Sequence, residues 1–546
     1  MSRLECLTLS SLEKVFWDQP PAGPAFTEAS LLQGERFSYQ IAYRQDAGRF
    51  SRQTLRVSVS SPIAAAVTVR RVEHVPCAFP CYDPTENYLR TSPGFYPDVL
   101  KPLDGQETWF VAGRWESLWV EIRAEDLPAG EYPITVTLSD GEDTAVSRFT
   151  ARVLPLRLPP QTFLFTQWLH GDGIAHAHHA AMFSEKFWAI LANYLETARR
   201  CGINLILTPL FTPPLDTAPG GERLTCQLVD VTVSGGEYAF GFDRLARWIA
   251  LCRDKGITRF ELSHLFTQWG ARYAPKVVAA VDGVEKRLFG WETPGNSPEY
   301  KRFLAAFLPA LDAFLDKQGV AKEDCYLHIS DEPHAEHWET YREASEWVAR
   351  LMPGYPVMDA MSDYPIYQKS TVDNPVVAID AISDFLQNKV PNLWGYYCCS
   401  QEQQVSNRFM AMPSARNRIL GMQAYKFGLK GFLHWGYNFY NSQFSLEVID
   451  PYAVTDARCA FPSGDAFSVY PCGDGCAESL RAVVFHDGLQ DLRALKMLES
   501  LAGRDAALRT LEEGLSRPLS FTDYPHDAAW LWDARQRIHQ ALLEQA

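Results

Sequence analysis

The feature that most constrains the fold is a series of eight short apolar segments that alternate with helical segments after residue 160. The stretches between them place apolar residues at helical spacing, as in Phe187, Leu191 and Tyr194. The predicted strands are residues 163–169, 203–209, 257–263, 325–330, 356–360, 376–380, 393–398 and 431–435. Eight strand-then-helix units over about 280 residues match the count and size of a (β/α)8 barrel of the TIM type.

The first 160 residues follow a different pattern, in which short β-rich runs alternate with turn signals and no helical period intervenes. The runs are residues 36–43, 53–59, 65–72, 118–123, 132–138 and 147–154. Many short strands without helices predict an N-terminal antiparallel β-sandwich. Residues 155–160, PLRLPP, predict a stiff linker, so we expect two domains, 1–160 and 161–546.

The last part of the chain is expected to complete the barrel. Residues 437–479 are loop-like and rich in Gly, Pro and aromatic residues, and predicted helices follow at 494–502, 506–515 and 528–543. The charged faces of these helices carry no catalytic motif, so we interpret them as a helical extension packed on the barrel. The predicted fold class is therefore a multidomain α/β plus β protein, with a sandwich followed by a barrel.

Charge and composition exclude several classes of partner. The chain has 66 acidic against 51 basic residues, a net charge of −15, and would be repelled by nucleic acid and by anionic lipid. No apolar run approaches the roughly 20 residues of a membrane span, and we find no signal peptide. Twelve scattered cysteines suit reduced thiols, so we expect a cytoplasmic protein with no membrane or nucleic-acid partner; a homo-oligomer stays open.

The active site of a (β/α)8 barrel lies at the carboxyl ends of its strands, so the residues that end the eight runs are the candidates. These ends carry carboxylates, histidines and indoles. Aromatic faces among hydrogen-bonding groups suit a sugar ring, although core packing is the alternative for each indole. From strand-end position we expect substrate to be bound by Trp168, His264, Asp359, Tyr396, Trp435 and Asn438.

The adjacent acids Asp331 and Glu332 directly follow the fourth predicted strand. Glycosidic bond cleavage needs a carboxylic acid to protonate the leaving oxygen, and a negative or nucleophilic group to meet the oxocarbenium-like carbon. Two acids at one strand end can supply both. Helix capping is the alternative, because Pro333 follows and acidic residues favour helix N-termini. The pattern alone leaves the two interpretations even.

Two other clusters could bind metal. The HAHH tract at 176–179 resembles zinc-binding segments, but a metal-dependent amidohydrolase would also need histidines where Asp359 and Asp380 stand. A four-thiolate site would need residues that are loosely spaced and remote in sequence, namely Cys77, Cys81, Cys472 and Cys476. The chain also lacks a phosphate-binding glycine loop and a dinucleotide fingerprint, so we expect no metal and no cofactor.

Around Asp331 and Glu332 the chain resembles glycoside hydrolase family 123. The motifs that carry the resemblance are, in order, HISDEPH at 328–334, WGYYCC at 394–399, NRF at 407–409, GFLHWGYN at 431–438, YP at 470–471 and DGLQD at 487–491. The resemblance runs from about residue 168 to about residue 495, and the order of sandwich and barrel agrees with it.

The resemblance implies a retaining exo-β-N-acetylgalactosaminidase, or a related N-acetylhexosaminidase, that acts on an oligosaccharide or glycoconjugate. In this mechanism the 2-acetamido oxygen of the sugar attacks the anomeric carbon and forms an oxazoline. Asp331 would orient the acetamido nitrogen, and Glu332 would be general acid and then general base. Neighbouring residues are too close to flank a bond from opposite faces, but they can serve one side of it and the acetamide. The resemblance therefore favours catalysis over capping.

Two alternatives stay open at the level of sequence. A glycosidase of the same fold could act on another sugar through a conventional nucleophile, for which Asp359 is the first candidate. A non-catalytic carbohydrate-binding protein is the other alternative, and the intact pair Asp331 and Glu332 argues against it. Without a signal peptide, we expect the substrate to be an oligosaccharide inside a bacterial cell.

Overall fold

Ten strands precede residue 160 in the computed structural model, which describes residues 4–45 and 52–545. They are β1 (Leu4–Ser10), β2 (Glu28–Gln33), β3 (Arg36–Gln45), β4 (Arg52–Ser60), β5 (Val67–Cys77), β6 (Gly94–Pro102), β7 (Glu107–Val111), β8 (Glu116–Arg123), β9 (Gly130–Ser139) and β10 (Thr144–Arg157). They form two five-stranded sheets, ordered β1-β3-β8-β5-β6 and β2-β10-β9-β4-β7.

The two N-terminal sheets share one apolar core. Alternate residues of β9, namely Ile134, Val136 and Leu138, are buried because successive side chains of a strand point to opposite faces. Across the core, the ring of Tyr39 in β3 stacks on that of Phe149 in β10, with centroids 4.2 Å apart. The β2–β10 pair is parallel, unlike the antiparallel pairing expected throughout, because β2 is not joined to β10 by a hairpin.

Fourteen strands follow in the part of the chain described after residue 160. They are β11 (Leu164–Gln167), β12 (Leu205–Thr208), β13 (Asp230–Ser234), β14 (Glu237–Gly241), β15 (Arg259–Leu262), β16 (Val277–Val281), β17 (Val284–Phe289), β18 (Cys325–Leu327), β19 (Met358–Ala360), β20 (Asn374–Ala378), β21 (Trp394–Tyr396), β22 (Gly431–His434), β23 (Val469–Cys472) and β24 (Gly475–Glu478).

Two sheets contain only parallel pairs and together comprise eight strands, in the orders β11-β22-β21-β20-β19 and β12-β15-β18, while β13 and β16 form a parallel pair in another sheet. A parallel bridge between Leu327 and Val357 links the end of β18 to the segment before β19. Beside β11 and β12, the backbone N–H of Asn204 donates to the carbonyl of Phe165 at 3.1 Å. The parallel strands therefore neighbour one another in chain order, and each predicted apolar run overlaps one of them.

Twelve helices lie in the described residues. They are α1 (Gly171–Ala177), α2 (Glu185–Arg200), α3 (Asp243–Asp254), α4 (Pro298–Lys317), α5 (Trp338–Leu351), α6 (Tyr364–Tyr367), α7 (Ser383–Gln387), α8 (Ser414–Arg418), α9 (Leu420–Phe427), α10 (Leu480–Ala502), α11 (Arg504–Glu512) and α12 (Ala528–Gln545). Ser184, Ser297 and Ser479 cap α2, α4 and α10 through their hydroxyl oxygens. None of these helices combines the length and apolar character that a membrane crossing requires.

The helices α9 and α10 cross at a pair of glycines. A Cβ atom on Gly421 would lie 1.8 Å from the carbonyl oxygen of Gly488, a distance that no side chain can accept. Only glycine permits this approach of two backbones, and it brings α10 onto the parallel strands. The helical extension expected after residue 478 thus contacts the rest of the fold through backbone as well as side chains.

Buried ion pairs join the N-terminal sheets to the remainder of the chain. Glu478, at the end of β24, accepts hydrogen bonds from Arg36 at 2.6 Å and from Arg70 at 2.5 Å. Arg481 in α10 pairs with Asp98 of β6 at 2.8 Å. These charges are almost fully buried, and removal of one partner would leave the other unpaired in a poorly solvated place.

The structure corrects two expectations about chain organisation. The predicted linker at 155–160 begins inside β10, which extends to Arg157 and carries a register shift after Leu154, where a proline is tolerated. The segment 437–479, expected to be loop, contains the hairpin β23–β24. The strands β1, β2, β6 and β7, and the four-stranded sheet β14-β13-β16-β17, were not predicted from the sequence.

Candidate active site

Asp331 and Glu332 lie on the loop after β18, and both are half-buried. The hydroxyl of Tyr396, the last residue of β21, donates to Glu332 Oε1 at 2.6 Å. Glu332 has a φ angle of 44°, in the left-handed region that side chains other than glycine rarely adopt. Residues in this backbone conformation cluster at active sites and ligand-binding sites.

Neither acid caps a helix. The short 3-10 turn that follows is capped by His334, and α5 begins after His337. The capping interpretation of Asp331 and Glu332 is therefore wrong, and their side chains remain available for other roles. The backbone of this loop is held in place by a hydrogen bond, in which the N–H of Trp269 donates to the Asp331 carbonyl at 2.8 Å.

The surroundings of Asp331 disfavour its ionised form. Burial raises the pKa of Asp331 well above its ordinary value, and the Glu332 carboxylate beside it raises the pKa further. The nearby acids Asp359 and Glu261 act in the same direction, whereas His328 opposes them. The site therefore holds a carboxyl group that keeps its proton at a higher pH than a surface aspartate.

His328 lies fully buried beneath the pair, between two carboxylates. Its Nε2 is 2.6 Å from Glu261 Oε1, and its Nδ1 is 3.2 Å from Asp359 Oδ1. Burial alone would lower the pKa of His328, but the hydrogen bonds with Asp359 and Glu261 outweigh it and raise the pKa to about 9. His328 is thus an imidazolium at neutral pH, and both ring nitrogens donate.

Asp359, predicted to bind substrate, is occupied by protein groups. Its Oδ1 accepts from His328 and from the backbone N–H of Ile329 at 2.9 Å, and its Oδ2 accepts from the Tyr341 hydroxyl at 2.6 Å. The side chain is completely buried, and burial raises its pKa. Asp359 therefore holds the His328 ring in position through a hydrogen bond.

His264 has no hydrogen-bond partner on either ring nitrogen among the described residues, although it is only 1% exposed. Its ring stacks on that of His328, with centroids 4.2 Å apart and an interplanar angle of 19°. Burial, followed by the charge of His328, holds the pKa of His264 well below its ordinary value, so the ring is neutral. A neutral imidazole offers one donor and one acceptor to a bound ligand.

The indoles predicted at the site differ in their surroundings. Trp168 is buried, donates its Nε1–H to Glu261 and meets the ring of His264 edge-on at 5.3 Å. Trp435 is half-buried and packs against the apolar group that includes Trp168 and Tyr396. Its Nε1–H donates to Asp465 at 3.0 Å. Both indoles are therefore fixed in orientation by a carboxylate.

Asn438, by contrast, forms its side-chain hydrogen bonds with the backbone of His170. Its Oδ1 accepts from the N–H of His170 at 2.8 Å and its Nδ2 donates to the carbonyl of the same residue at 2.9 Å. The side chain is completely buried. The structure thus brings Trp168, His264, Asp331, Glu332, Asp359 and Tyr396 together, with Trp435 beside them, whereas Asn438 holds the loop after β11.

Glu261 is one of the residues of the site that were not predicted from the sequence, together with His328, Tyr341 and Asp465. It lies in β15, is completely buried, and accepts from the Thr166 hydroxyl at 2.7 Å as well as from Trp168 and His328. An acid within a short apolar strand was the available signal, because a charge is buried only where partners are provided. Tyr341 and Asp465 were not predicted because neither residue lies at the end of a predicted strand.

The described residues bring together one group that could be considered for a metal ion, His264, His328 and Asp359. Its geometry does not fit. The two imidazole planes are nearly parallel, so their lone pairs cannot converge on one ion, and both nitrogens of His328 already contact carboxylates. In the HAHH tract, His178 Nε2 contacts the Tyr194 hydroxyl at 3.0 Å.

Comparison with known proteins places this geometry in a family. The sequence model for the catalytic domain of glycoside hydrolase 123 matches residues 168–498, more than half of the chain. A family 123 glycoside hydrolase from Clostridium perfringens, studied for the details of glycolipid glycan hydrolysis, has a TM-score of 0.75 and 14% identity. The alignment covers 100% of this chain and 98% of that chain, and shows a shared fold.

More distant structures are also similar in part. An endo-β-1,4-mannanase from Thermotoga petrophila has 15% identity and a TM-score of 0.36 over 61% of this chain and 77% of its own. No curated protein matches the chain. The resemblance read from the motifs is confirmed by the family match, and the chain belongs to glycoside hydrolase family 123.

Proposed function

We propose that this glycoside hydrolase is a retaining exo-β-N-acetylgalactosaminidase, or a closely related N-acetylhexosaminidase, that uses the 2-acetamido group of its substrate as nucleophile. The observation that carries the proposal is the adjacent pair Asp331 and Glu332, free of any capping role and set above a buried imidazolium. One acid can serve the glycosidic oxygen and the other can serve the acetamide on the same side of the sugar.

The electrostatics of the pair support this division of labour. Burial and the neighbouring Glu332 carboxylate raise the pKa of Asp331, so full ionisation of the pair is disfavoured. In the proposed mechanism the acetamide N–H donates to Asp331, and Glu332 gives a proton to the leaving oxygen. The hydrogen bond from Tyr396 then keeps Glu332 oriented when it returns as general base.

A conventional enzymic nucleophile has less support. Asp359, the first candidate for that role, is completely buried and would have to give up hydrogen bonds with Ile329, His328 and Tyr341 before attacking a sugar carbon. His264 instead offers unpartnered nitrogens, and we assign it to a sugar hydroxyl. Trp168, Tyr396 and Trp435 are proposed to form the apolar walls of the sugar site.

We also propose that the eight parallel strands form a (β/α)8 barrel over 161–546 and that residues 1–160 form a β-sandwich domain. The chain-order adjacency of the strands supports the barrel, and the shared apolar core of the two N-terminal sheets supports the sandwich. All twelve cysteines are free thiols, which suits the reducing cytoplasm of a bacterium.

The test compares Glu332→Gln and Asp331→Asn on an activated nitrophenyl glycoside and on a natural disaccharide. Loss of the proton donor should lower the disaccharide rate by roughly 10² to 10⁴. The same change should spare the first step of the activated glycoside, whose leaving group needs little protonation. Asp331→Asn should slow both substrates, because oxazoline formation precedes departure of either leaving group.

Asp384→Asn in α7 is the matched control, since Asp384 is an exposed acid that makes no side-chain bond to the site. A panel of glycosides with and without the 2-acetamido group and a thiazoline inhibitor complete the test. Equal losses from both variants on both substrates, with no thiazoline inhibition of the wild type, would count against substrate assistance.

A further inference from the structure

A cavity of about 360 Å³ lies beside the catalytic pair and has no role in the chemistry proposed above. Its wall includes Trp269, Arg272, Tyr273, Trp291, His334 and His337. The volume falls in the range of small-ligand sites, about 300 to 1,000 Å³. A larger groove of about 860 Å³ between β2, β10 and α12 contains none of the residues of the candidate site.

The cavity is tied directly to the loop that carries the pair. The backbone N–H of Trp269 donates to the Asp331 carbonyl at 2.8 Å, and that of Ala271 donates to Ser330 Oγ at 3.1 Å. His334, on the same wall, is two residues beyond Glu332. The cavity therefore adjoins the loop that carries Glu332, the proposed proton donor to the leaving group.

The cavity wall carries several aromatic rings that contact one another or neighbouring rings edge-on. Tyr273 and Trp291 have centroids 6.1 Å apart at an interplanar angle of 61°, and Trp269 meets Phe444 at 6.5 Å. Tyr273, Trp291 and Trp269 are half-buried, so part of each ring remains accessible. Accessible aromatic faces next to polar groups bind the apolar face of a sugar.

The charge of the cavity is unbalanced. Arg272 is exposed, and no carboxylate of the described residues pairs with its guanidinium, in a chain whose net charge is −15. The acid on the wall, Glu336, pairs instead with His337 Nε2 at 3.2 Å. Burial and then the Arg272 charge lower the pKa of His337, which places the guanidinium near that ring. An unpaired arginine among aromatic rings is suited to an anionic ligand, because it can bind carboxylate or sulfate through two parallel hydrogen bonds.

We propose that this cavity is a leaving-group subsite that selects an acidic sugar, one carrying a carboxylate or a sulfate, through Arg272 and the neighbouring aromatic rings. The inference rests on the proposed glycosidase function for its biological meaning. Its binding component is independent of catalysis and can be measured separately.

The binding experiment titrates the wild-type protein with methyl β-D-glucuronide, with methyl β-D-glucoside and with glucose 6-sulfate, followed by ligand-observed NMR. We expect the uronide or the sulfate to bind about tenfold more tightly than the neutral glycoside, with a preference that weakens as salt is added. The first two ligands share a ring and differ in one charged group, so the comparison isolates that group, and the sulfate distinguishes the two anions.

The variants are Arg272→Ala, Arg272→Lys and the control Arg302→Ala. Arg302 is an exposed arginine of α4 outside the cavity, and its removal makes the same change in net charge. Arg272→Ala should abolish the preference for the acidic ligand, and Arg272→Lys should retain only part of it. Equal affinities for all three ligands in the wild type, or a preference that survives Arg272→Ala, would overturn the proposal.

The catalytic experiment compares kcat/KM for β-linked N-acetylgalactosamine joined to glucuronic acid and to glucose. The acidic-to-neutral ratio should fall about tenfold in Arg272→Ala and stay unchanged in Arg302→Ala. If the binding preference holds but neither disaccharide is cleaved, the proposed glycosidase specificity fails and the acidic-sugar site stands. If both are cleaved with equal kcat/KM in every variant, the subsite proposal fails and the glycosidase stands.

Discussion

Raising the pH through the pKa of His328 should destabilise the fold. The pKa of this residue is raised from 6.5 to about 9 by its hydrogen bonds with Asp359 and Glu261, against the effect of burial. A difference of about 2.5 pKa units corresponds to about 3 to 4 kcal/mol of preference for the imidazolium in the folded state, at roughly 1.4 kcal/mol per unit. Because the folded pKa is the higher one, this stabilisation is complete below about pH 6.5 and is lost as the pH rises to about 9.

The assay is thermal unfolding between pH 6 and pH 10, combined with NMR of ¹⁵N-labelled imidazole groups. With an unfolding entropy of about 2.1 cal/mol/K per residue, the loss amounts to a fall of about 3 °C in Tm if the chain unfolds as one unit. His328→Gln cannot be protonated, so this part of the alkaline slope should disappear. The variant should also be less stable at pH 6, since Glu261 and Asp359 lose their cation.

His539→Gln is the control. His539 is buried and contacts the Ser30 hydroxyl at 2.7 Å, and burial holds its pKa well below the ordinary value, so it stays neutral throughout the window. The control should keep the alkaline slope of the wild type. Two results would refute the conclusion that the folded protein stabilises His328 as an imidazolium. One is an imidazole resonance for His328 that titrates near pH 6.5, and the other is an unchanged alkaline slope of Tm against pH in His328→Gln.

Three further results are expected. Tyr396→Phe removes the hydrogen bond that orients Glu332 and should lower kcat about tenfold with little change in KM, as steady-state kinetics would show. His264→Phe should lower kcat/KM while Tm changes little, because the imidazole has no hydrogen-bond partner to lose; a large fall in Tm would contradict this. Glu478→Gln should cost about 3 to 5 kcal/mol of unfolding free energy in denaturant titrations, because the cluster around Arg36 loses its central acid.

The sequence predicted the elements that depend on local pattern. The parallel strands were recognisable because they are short apolar runs between helices, and Asp331 and Glu332 stood out because residues at strand ends face the site. The orientation of Glu261 was not predictable, since a four-residue strand gives too few side chains to decide which face is inward. The strand at 147–154 was predicted, but its extension through Pro155 to Arg157 was not, because proline normally ends pairing and the bulge in β10 allows it here.

The charged groups around His328 contribute to the raised pKa of Asp331. Burial raises the pKa of Asp331 most, and the neighbouring acids Glu332, Asp359 and Glu261 raise it further, whereas the single positive charge of His328 lowers it. Glu261 and Asp359 are the carboxyl groups that contact the His328 cation. The inner acids therefore hold His328 in place, and we expect its charge to act on Asp331 of the proposed catalytic pair.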